Sequence, residues 1–412
     1  MSYSVAMLSV HTSPLDTPGR TRDAGGMNVY IYELARELGH SQNTIDIFTR
    51  RTNDYWPHIV QLTPRVRVIH VKAGPSAPIQ KHELYQYLPA FAQYVDEFRR
   101  SEKTHYDILH SHYWLSGVVA MQLAQRWDIP HITMFHTLGH LKRLANPEAA
   151  EPFIRLEMER RLIQQADSII ASTNDERMKI IRHCGATQGQ VRVIPCGVDL
   201  KRFIPQDRQQ AREKLGLKQH LPVLLFVGRL DPFKGPDLLL RAAAMMGEEA
   251  QVVIVGGNIT GDKEIEHLRE LATHLKISKR VHFTGARPQC ELPLFYSAAD
   301  VTVIPSYYES FGLAAVESLA CGTPVVATRA GGLTTVVHQG ETGYLVPRCP
   351  GFFAERLDTL LHDPDLLERM RLVARPSILQ FSWKNVASQM QDVYEDVNDP
   401  SRKRGGLFGA VC

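Results

Sequence analysis

Short runs rich in Val, Ile and Leu alternate with longer amphipathic segments along the whole chain, and this alternation limits the fold more than any other feature. Strands buried on both faces read as continuous apolar runs, and parallel neighbours need a crossover, usually a helix, to connect them. The pattern therefore specifies βαβ units and an α/β fold with parallel sheets. The expected strands of the first half are 3–10, 44–49, 66–71, 107–111, 131–136, 168–172 and 191–195. Those of the second half are 222–228, 251–256, 280–284, 300–305, 324–328 and 343–346. Helical segments such as 26–39, 83–101, 151–166, 236–246, 262–276 and 311–320 fall between them.

A chain of 412 residues exceeds what one hydrophobic core supports, so two domains are expected. The boundary is read near residue 200. There Val191-Arg192-Val193-Ile194 runs into Pro195-Cys196-Gly197, a polar helix follows, and the buried strand Val223-Leu224-Leu225-Phe226-Val227 restarts the alternation. The domains are thus 1–198 and 199–380. A last helix at about 381–400 follows the polar break before Trp383 and can pack back on the first domain; the sequence alone does not decide its partner.

Composition removes several classes of function. Net charge is +3, and the one short basic run, Arg402-Lys403-Arg404, gives nucleic-acid binding little support. The N-terminus lacks a basic region and a small-residue cleavage site, and no apolar stretch approaches the roughly 20 residues that span a bilayer. The six cysteines are scattered without a Cys-x-x-Cys pair, which argues against structural disulfides and a zinc site. A soluble cytoplasmic protein without stable membrane insertion is expected; the sequence does not give its oligomeric state.

Two segments of the second half suit a diphosphate. In Gly228-Arg229-Leu230-Asp231-Pro232-Phe233-Lys234-Gly235, Arg229 and Lys234 stand on the loop after a buried strand, at the carboxyl edge where open α/β sheets bind ligands. The plainer alternative is a surface loop with two solvated cations. In Ser306-Tyr307-Tyr308-Glu309-Ser310-Phe311-Gly312-Leu313-Ala314-Ala315-Val316-Glu317, a helix opens at Phe311 with Ser310 as its expected N-cap. Amides there can receive a phosphate and sugar hydroxyls. Glu309 and Glu317 are eight positions apart and can share a face. A Glu at a helix start is more often a dipole partner, but Glu317 lies in an apolar helix, where a carboxylate needs a partner; a ribose diol would serve.

In the first half, Arg22-Asp23-Ala24-Gly25-Gly26-Met27-Asn28 allows close backbone approach at a helix N-terminus, although a tight turn explains it as simply. The dinucleotide fingerprint Gly-x-Gly-x-x-Gly is absent, which disfavours a dehydrogenase. His110-Ser111-His112-Tyr113-Trp114 and Phe135-His136-Thr137-Leu138-Gly139 end two expected strands. No carboxylate accompanies these histidines at ligand spacing, so no metal site is expected.

Glu309-x7-Glu317 with Ala320-Cys321-Gly322-Thr323-Pro324-Val325-Val326, preceded by Gly228-Arg229-Leu230 and Lys234-Gly235, closely resembles a large family of retaining glycosyltransferases of the GT-B type. That family includes sucrose and sucrose-phosphate synthases and the inositol-phosphate glycosyltransferase of mycothiol synthesis. The resemblance covers nearly the whole chain and implies two Rossmann-like domains facing a cleft. It implies that Arg229 and Lys234 grip the diphosphate of a nucleotide sugar, Glu317 holds the ribose, Arg287 lies against the base, and Glu309 and His136 contact the sugar. Gly26, Ser310, Phe311, Gly312 and Leu313 complete the implied donor site. Gly25, Asn28, Lys81, Tyr113, Thr137, Lys142 and Arg155 are implied to bind a phosphorylated sugar or polyol acceptor.

The resemblance further implies UDP-glucose as co-substrate, with no cofactor or catalytic metal. His136-Thr137-Leu138-Gly139-x-x-Lys142 resembles sucrose-phosphate synthases and points to fructose 6-phosphate. Gly25-Gly26-Met27-Asn28 resembles the inositol-phosphate enzyme, an N-acetylglucosaminyltransferase, while the frequent Gln and Ile differ from chains typical of mycothiol makers. The fructose acceptor is the reading preferred at this point. A nucleotide-sugar epimerase or a non-catalytic nucleotide-sugar-binding protein are the rival classes.

Overall fold

The computed structural model describes residues 1–19, 23–148, 151–247, 249–259, 261–399 and 401; the basic run at 402–404 lies outside them. The chain divides into two compact units. The first comprises Met1–Leu15, Tyr30–Pro195 and the segment from Lys384 onward; the second comprises Asp16–Val29 and Cys196–Trp383.

In the first unit the strands are β1 (Ser4–Ser9), β2 (Thr44–Arg50), β3 (Ile59–Thr63), β4 (Val66–Val71), β5 (Ile108–His112), β6 (His131–Met134), β7 (Ser168–Ala171) and β8 (Val191–Val193). They form one sheet in the order β3-β4-β2-β1-β5-β6-β7-β8. Only β3 runs antiparallel, on β4. The apolar runs are buried as a parallel sheet requires: Val5 to Leu8, Ile45, Ile47, Ile132 and Ile169 are fully or nearly fully covered. β3 is absent from the strands read in the sequence because it is a half-buried edge, where the apolar signal is diluted.

The second unit holds β9 (Val223–Val227), β10 (Gln251–Val255), β11 (Val281–Gly285), β12 (Val301–Ile304), β13 (Val325–Thr328) and β14 (Gly343–Val346). Their order is β11-β10-β9-β12-β13-β14. Every pairing is parallel. Leu224, Phe226, Val252, Ile254, Val301 and Val303 pack against Leu238, Leu239, Ile265 and Phe353 from the flanking helices.

Both sheets have a point where strand order reverses, between β1 and β5 in one and between β9 and β12 in the other. Loops leaving the carboxyl ends of strands diverge there and leave room for a ligand. The expected functional segments follow those strands.

Three local expectations are corrected. The helix read at 83–101 is a 3-10 turn, Lys81–Tyr87, followed by an α-helix, Leu88–Ser101, with Pro89 in its first turn where a missing N–H costs nothing. Segment 16–29, expected with the first domain, clusters with the second unit. Ser310 is not an N-cap: the helix is Leu313–Ala320, capped by Gly312 in a left-handed conformation (φ 106°) that a residue with a Cβ resists. The last helix, Trp383–Asn398, buries Val386, Met390, Val393, Tyr394 and Val397 at helical spacing. From it Tyr394 bonds His110, and Asp396 pairs with Arg192, in the first unit. No described helix is long and apolar enough to cross a membrane.

Candidate functional site

In the second unit the loops after β9 and β12 are built into one another. Lys234 Nζ lies 2.6 Å from Glu309 Oε1, and the Ser306 hydroxyl donates to the same oxygen at 2.8 Å. Tyr307 N donates to Phe233 O at 2.9 Å, tying the loops backbone to backbone. Arg348 stacks 3.5 Å from the Tyr307 ring centre and donates from Nε to Pro305 O. Arg229 Nη2 stands 4.0 Å from Asp231 Oδ2, while Asp231 Oδ1 accepts the Phe233 amide at 2.9 Å. Arg229 and Lys234 are thus partly exposed cations, with Asp231 beside the first and Glu309 beside the second.

Glycines let the backbones meet. A Cβ on Gly331 would stand 2.0 Å from Glu309 O, and one on Gly332 2.4 Å from Ser310 O. Gly332 N donates to Glu309 O at 2.8 Å. The turn 309–312 is therefore moulded on Gly331-Gly332 and presents the first turn of the Leu313–Ala320 helix. The opening amides of any helix lack intrahelical partners and favour an anion.

Segment 16–29 lies on the same loops. Gly25 sits against the Arg229 side chain, with 3.5 Å from an added Cβ to its Nε, and a Cβ on Gly26 would reach 2.9 Å from Leu313. Asn28, buried, turns its Oδ1 back to accept the Gly25 amide at 2.8 Å. Gly25 and Asn28, expected on the acceptor side, are placed beside the residues assigned to the donor.

Glu317 is 5% exposed. Tyr296 Oη donates to its Oε2 at 2.8 Å, and Gln289 Nε2 to its Oε1 at 3.1 Å. Burial pushes its carboxyl up to about 7, with the two hydrogen bonds pulling the other way. Its burial thus has protein partners, and no ribose is needed to explain it. Arg287 lies 3.4 Å from Glu291 and over the Phe295 ring, with its Nε lacking a hydrogen-bond partner.

In the first unit the strand ends carry two backbone outliers. Tyr113, directly after β5, has φ 73°, and His136, two residues after β6, has φ 57°. Side chains with a Cβ rarely adopt this region, and such strain gathers at functional sites. His136 Nε2 is 3.0 Å from His112 Nδ1, and Tyr30 stands edge-on to both rings. Burial lowers His136 to about 3, so its imidazole is neutral near neutral pH.

The other expected acceptor residues of this unit form a patch beside it. Lys81 Nζ is 5.5 Å and Arg155 Cζ 5.0 Å from the Tyr113 ring centre. Arg155 donates from Nη2 to Thr137 O at 2.7 Å, from Nε to Glu159 at 2.7 Å and from Nη1 to Glu151 at 2.6 Å. Glu159 also accepts the Gly139 amide on both oxygens. Lys142 Nζ bonds the other Glu151 oxygen at 2.5 Å. Lys81, Tyr113, Thr137, Lys142 and Arg155 are therefore brought together. Among the described residues no group of three or more His, Cys, Asp or Glu is placed to hold a metal ion.

Sequence reasoning missed Ser306, Tyr307, Gly331, Gly332, Tyr296, Gln289, Arg348, Glu151 and Glu159. The adjacent glycines 331–332 were a usable signal, since a Gly pair beside a strand end marks close backbone approach. The others are ordinary side chains; Tyr296, Gln289 and Arg348 meet partners 21 or more positions away, while Ser306, Glu151 and Glu159 have near neighbours in sequence that no motif marks.

Two family models match the chain: glycosyl transferases group 1 over residues 207–375, and glycosyltransferase family 4 over residues 24–202. The chain is 45% identical over 405 residues to D-inositol 3-phosphate glycosyltransferase 2 of Catenulispora acidiphila, covering 95% of this chain and 94% of that protein. It is 41% identical to the D-inositol 3-phosphate glycosyltransferase of Corynebacterium diphtheriae, covering 96% and 95%. Among solved structures, sucrose-phosphate synthase from Thermosynechococcus elongatus superimposes with a TM-score of 0.90 at 34% identity, over 96% of this chain and 99% of that one. An Anabaena protein in complex with UDP and glucose, 21% identical with a TM-score of 0.75 over 96% and 100% of the two chains, shares the fold.

Proposed function

The chain belongs to the group 1 glycosyltransferases and has their two-domain GT-B fold, and from that footing we propose that it moves a hexosyl group from a UDP-sugar to a hydroxyl of a phosphorylated polyol or sugar, with retention of configuration. The observation that carries this reading is the gathering of Lys81, Tyr113, Thr137, Lys142 and Arg155 into one cation-bearing patch in the unit that does not hold the Arg229–Lys234 loop. A nucleotide-sugar epimerase or a mere binding protein has no use for a second anion site.

The donor diphosphate lies against Arg229, Lys234 and the opening turn of the Leu313–Ala320 helix. Its charge grows as the bond from the anomeric carbon to the β-phosphate oxygen breaks, and fixed donors are worth most where charge develops. The acceptor hydroxyl forms the new bond from the face the diphosphate leaves. Its proton passes to an oxygen of the departing phosphate, so the reaction balances without a protein nucleophile. Neutral His136 orients the sugar, Glu317 receives ribose hydroxyls, and Arg287 lies along the base. In this reading the cations do the work for which other glycosyltransferases use a metal.

Relatives at 41–45% identity named for inositol 3-phosphate, together with Gly25-Gly26-Met27-Asn28, move the preferred acceptor to inositol 3-phosphate. Fructose 6-phosphate, favoured by the sequence alone, is the second reading, supported by the 34% identical sucrose-phosphate synthase. The test is a matrix of UDP-glucose, ADP-glucose and UDP-N-acetylglucosamine against both acceptors, reading nucleotide release and the anomeric coupling constant of the product. Transfer to either phosphate with retention supports the class, and the faster acceptor names the substrate. Nucleotide release that is indifferent to any phosphorylated acceptor overturns it.

A further inference from the structure

The cation patch of the first unit already contains an anion. Glu151 spans it: Oε1 takes the Lys142 ammonium at 2.5 Å and Oε2 the Arg155 guanidinium at 2.6 Å. Its side chain is 5% exposed, on the connection between the helices Gly139–Ala145 and Phe153–Gln165. Two oxygens on a single centre, each receiving one charge-assisted hydrogen bond, reproduce two of the three terminal oxygens of a phosphate monoester.

The second carboxylate on Arg155 is held differently. Glu159 sits inside the Phe153–Gln165 helix, accepts the Gly139 amide on both oxygens, and fixes the Nε edge of the guanidinium. It is part of the frame. Glu151 has only the two cations as hydrogen-bond partners among the described residues, and Pro152, which follows it, offers no N–H to anchor the turn.

Charge decides what the patch accepts. Lys81, Lys142 and Arg155 supply three positive charges, and Glu151 and Glu159 remove two. A phosphate monoester carries close to two negative charges at neutral pH. The patch is therefore underpowered for a phosphate while Glu151 stays, and matched to it once Glu151 has left. Left empty, Lys142 and the Nη1 edge of Arg155 would lose the carboxylate they share, which is unfavourable beside a buried guanidinium.

Building on the acceptor reading above, we propose that Glu151 is the acceptor's internal rival and so sets its charge requirement. It neutralises the Lys142–Arg155 pair in the unoccupied enzyme and yields both hydrogen bonds to the incoming phosphate. Only an acceptor whose own anion replaces both bonds gains the site; a sugar or polyol without the phosphate leaves Glu151 in place.

The experiment compares wild type, Glu151→Gln, Glu151→Asp and Lys81→Ala for binding of inorganic phosphate by titration calorimetry and thermal shift, and for acceptor and donor KM. Glu151→Gln should bind phosphate about tenfold more tightly, because one charge-assisted bond is no longer surrendered. Its acceptor KM should fall in parallel while its donor KM stays put, and added phosphate should raise its Tm more than that of wild type. Glu151→Asp, which keeps the charge but is too short to bridge both cations, should fall between the two and covers the case in which the Gln variant folds poorly. Phosphate binding equal to or weaker than wild type in both variants makes Glu151 a fixed part of the patch and overturns the proposal. Should Lys81→Ala leave wild-type phosphate affinity untouched, the anion is not held here, and the acceptor reading itself falls.

Discussion

Lowering the pH from 7.5 to 5.5 should destabilise the first unit more than the second. His110 and His131, both buried, are pushed down to about 3 by desolvation; His136 falls to a similar value, and His112 lies well below the ordinary 6.5. A histidine whose folded pKa is depressed is neutral in both states above 6.5 and costs nothing there. Below 6.5 the unfolded chain takes up a proton that the folded one refuses, so stability falls with pH down to the folded value. Two carboxyls act in the opposite sense. Burial raises Glu176 to about 7 and also raises Glu159, so each contributes stability that is full below about 4.5 and lost as pH rises through its folded value. Four protons refused by the histidines against at most two held by the carboxyls leave a net uptake of at least about two on unfolding, or about 3 kcal/mol lost across the pH unit below 6.5. Against a marginal reserve of about 5–15 kcal/mol, that loss by pH 5.5 is large enough to move an unfolding midpoint. In the second unit burial depresses His282, and Glu317 at about 7 works the other way. Urea unfolding followed by tryptophan fluorescence at pH 7.5, 6.5 and 5.5 in a Trp383→Phe background reports the first unit alone, through Trp56, Trp114 and Trp127. The midpoint should fall steeply, and His110→Gln should shallow the dependence by about 1.4 kcal/mol per pH unit. A midpoint unchanged down to pH 5.5 would refute the buried neutral histidines.

Arg229→Ala and Lys234→Ala should each lower kcat/KM for the donor about 10²- to 10³-fold with the thermal midpoint little changed, checked by initial rates and calorimetry. Gly331→Ala places a methyl against Glu309 O at φ 52° and should abolish UDP binding by displacing the 309–312 turn, read by titration of UDP. Arg155→Ala strips the buried Glu159 and Glu151 of their partner and should cost about 3–5 kcal/mol of first-unit stability, whereas Lys81→Ala should raise only the acceptor KM. Because ribose hydroxyls would favour the ionised form of Glu317, held at about 7, donor affinity should rise between pH 6 and 8, and Glu317→Gln should flatten that dependence; an already flat wild-type profile removes the ribose assignment.

The parallel sheets were legible because continuous apolar runs such as Val223–Val227 can be buried on both faces only there. The loops proposed for the donor could be picked out because Arg229, Lys234 and Glu309 follow buried strands, the first of them ended by Gly228. What the sequence could not show was pairing across distance. Lys234 reaches Glu309 from 75 positions away, and Glu317 finds Tyr296 and Gln289 in another helix and loop. The N-cap at Ser310 failed for a related reason. Serine is the better local cap, but Gly331-Gly332 press the backbone of 309–311 into a path that only a left-handed Gly312 can continue. Segment 16–29 also misled, since its sequence neighbours belong to the first sheet while Gly25 and Gly26 lie on Arg229 and Leu313.

The heavy pairing of the Lys142–Arg155 set is compatible with the proposed chemistry. Arg155 spends Nε, Nη1 and Nη2 on Glu159, Glu151 and Thr137, and Lys142 shares the same Glu151. Arg229 Nη2 stands 4.0 Å from Asp231 Oδ2, and Lys234 shares the Glu309 carboxylate with the Ser306 hydroxyl. An acceptor phosphate carries the same charge before, during and after transfer, so cations that hold it contribute binding but no acceleration. They can be heavily neutralised without loss of rate, and selectivity for an anion then comes from what must be displaced. A leaving diphosphate gains charge as its bond breaks, and cations fixed beside it stabilise that gain. Heavy pairing at the Lys142–Arg155 patch is what a transferase tolerates if that anion is only recognised and the new charge is made elsewhere.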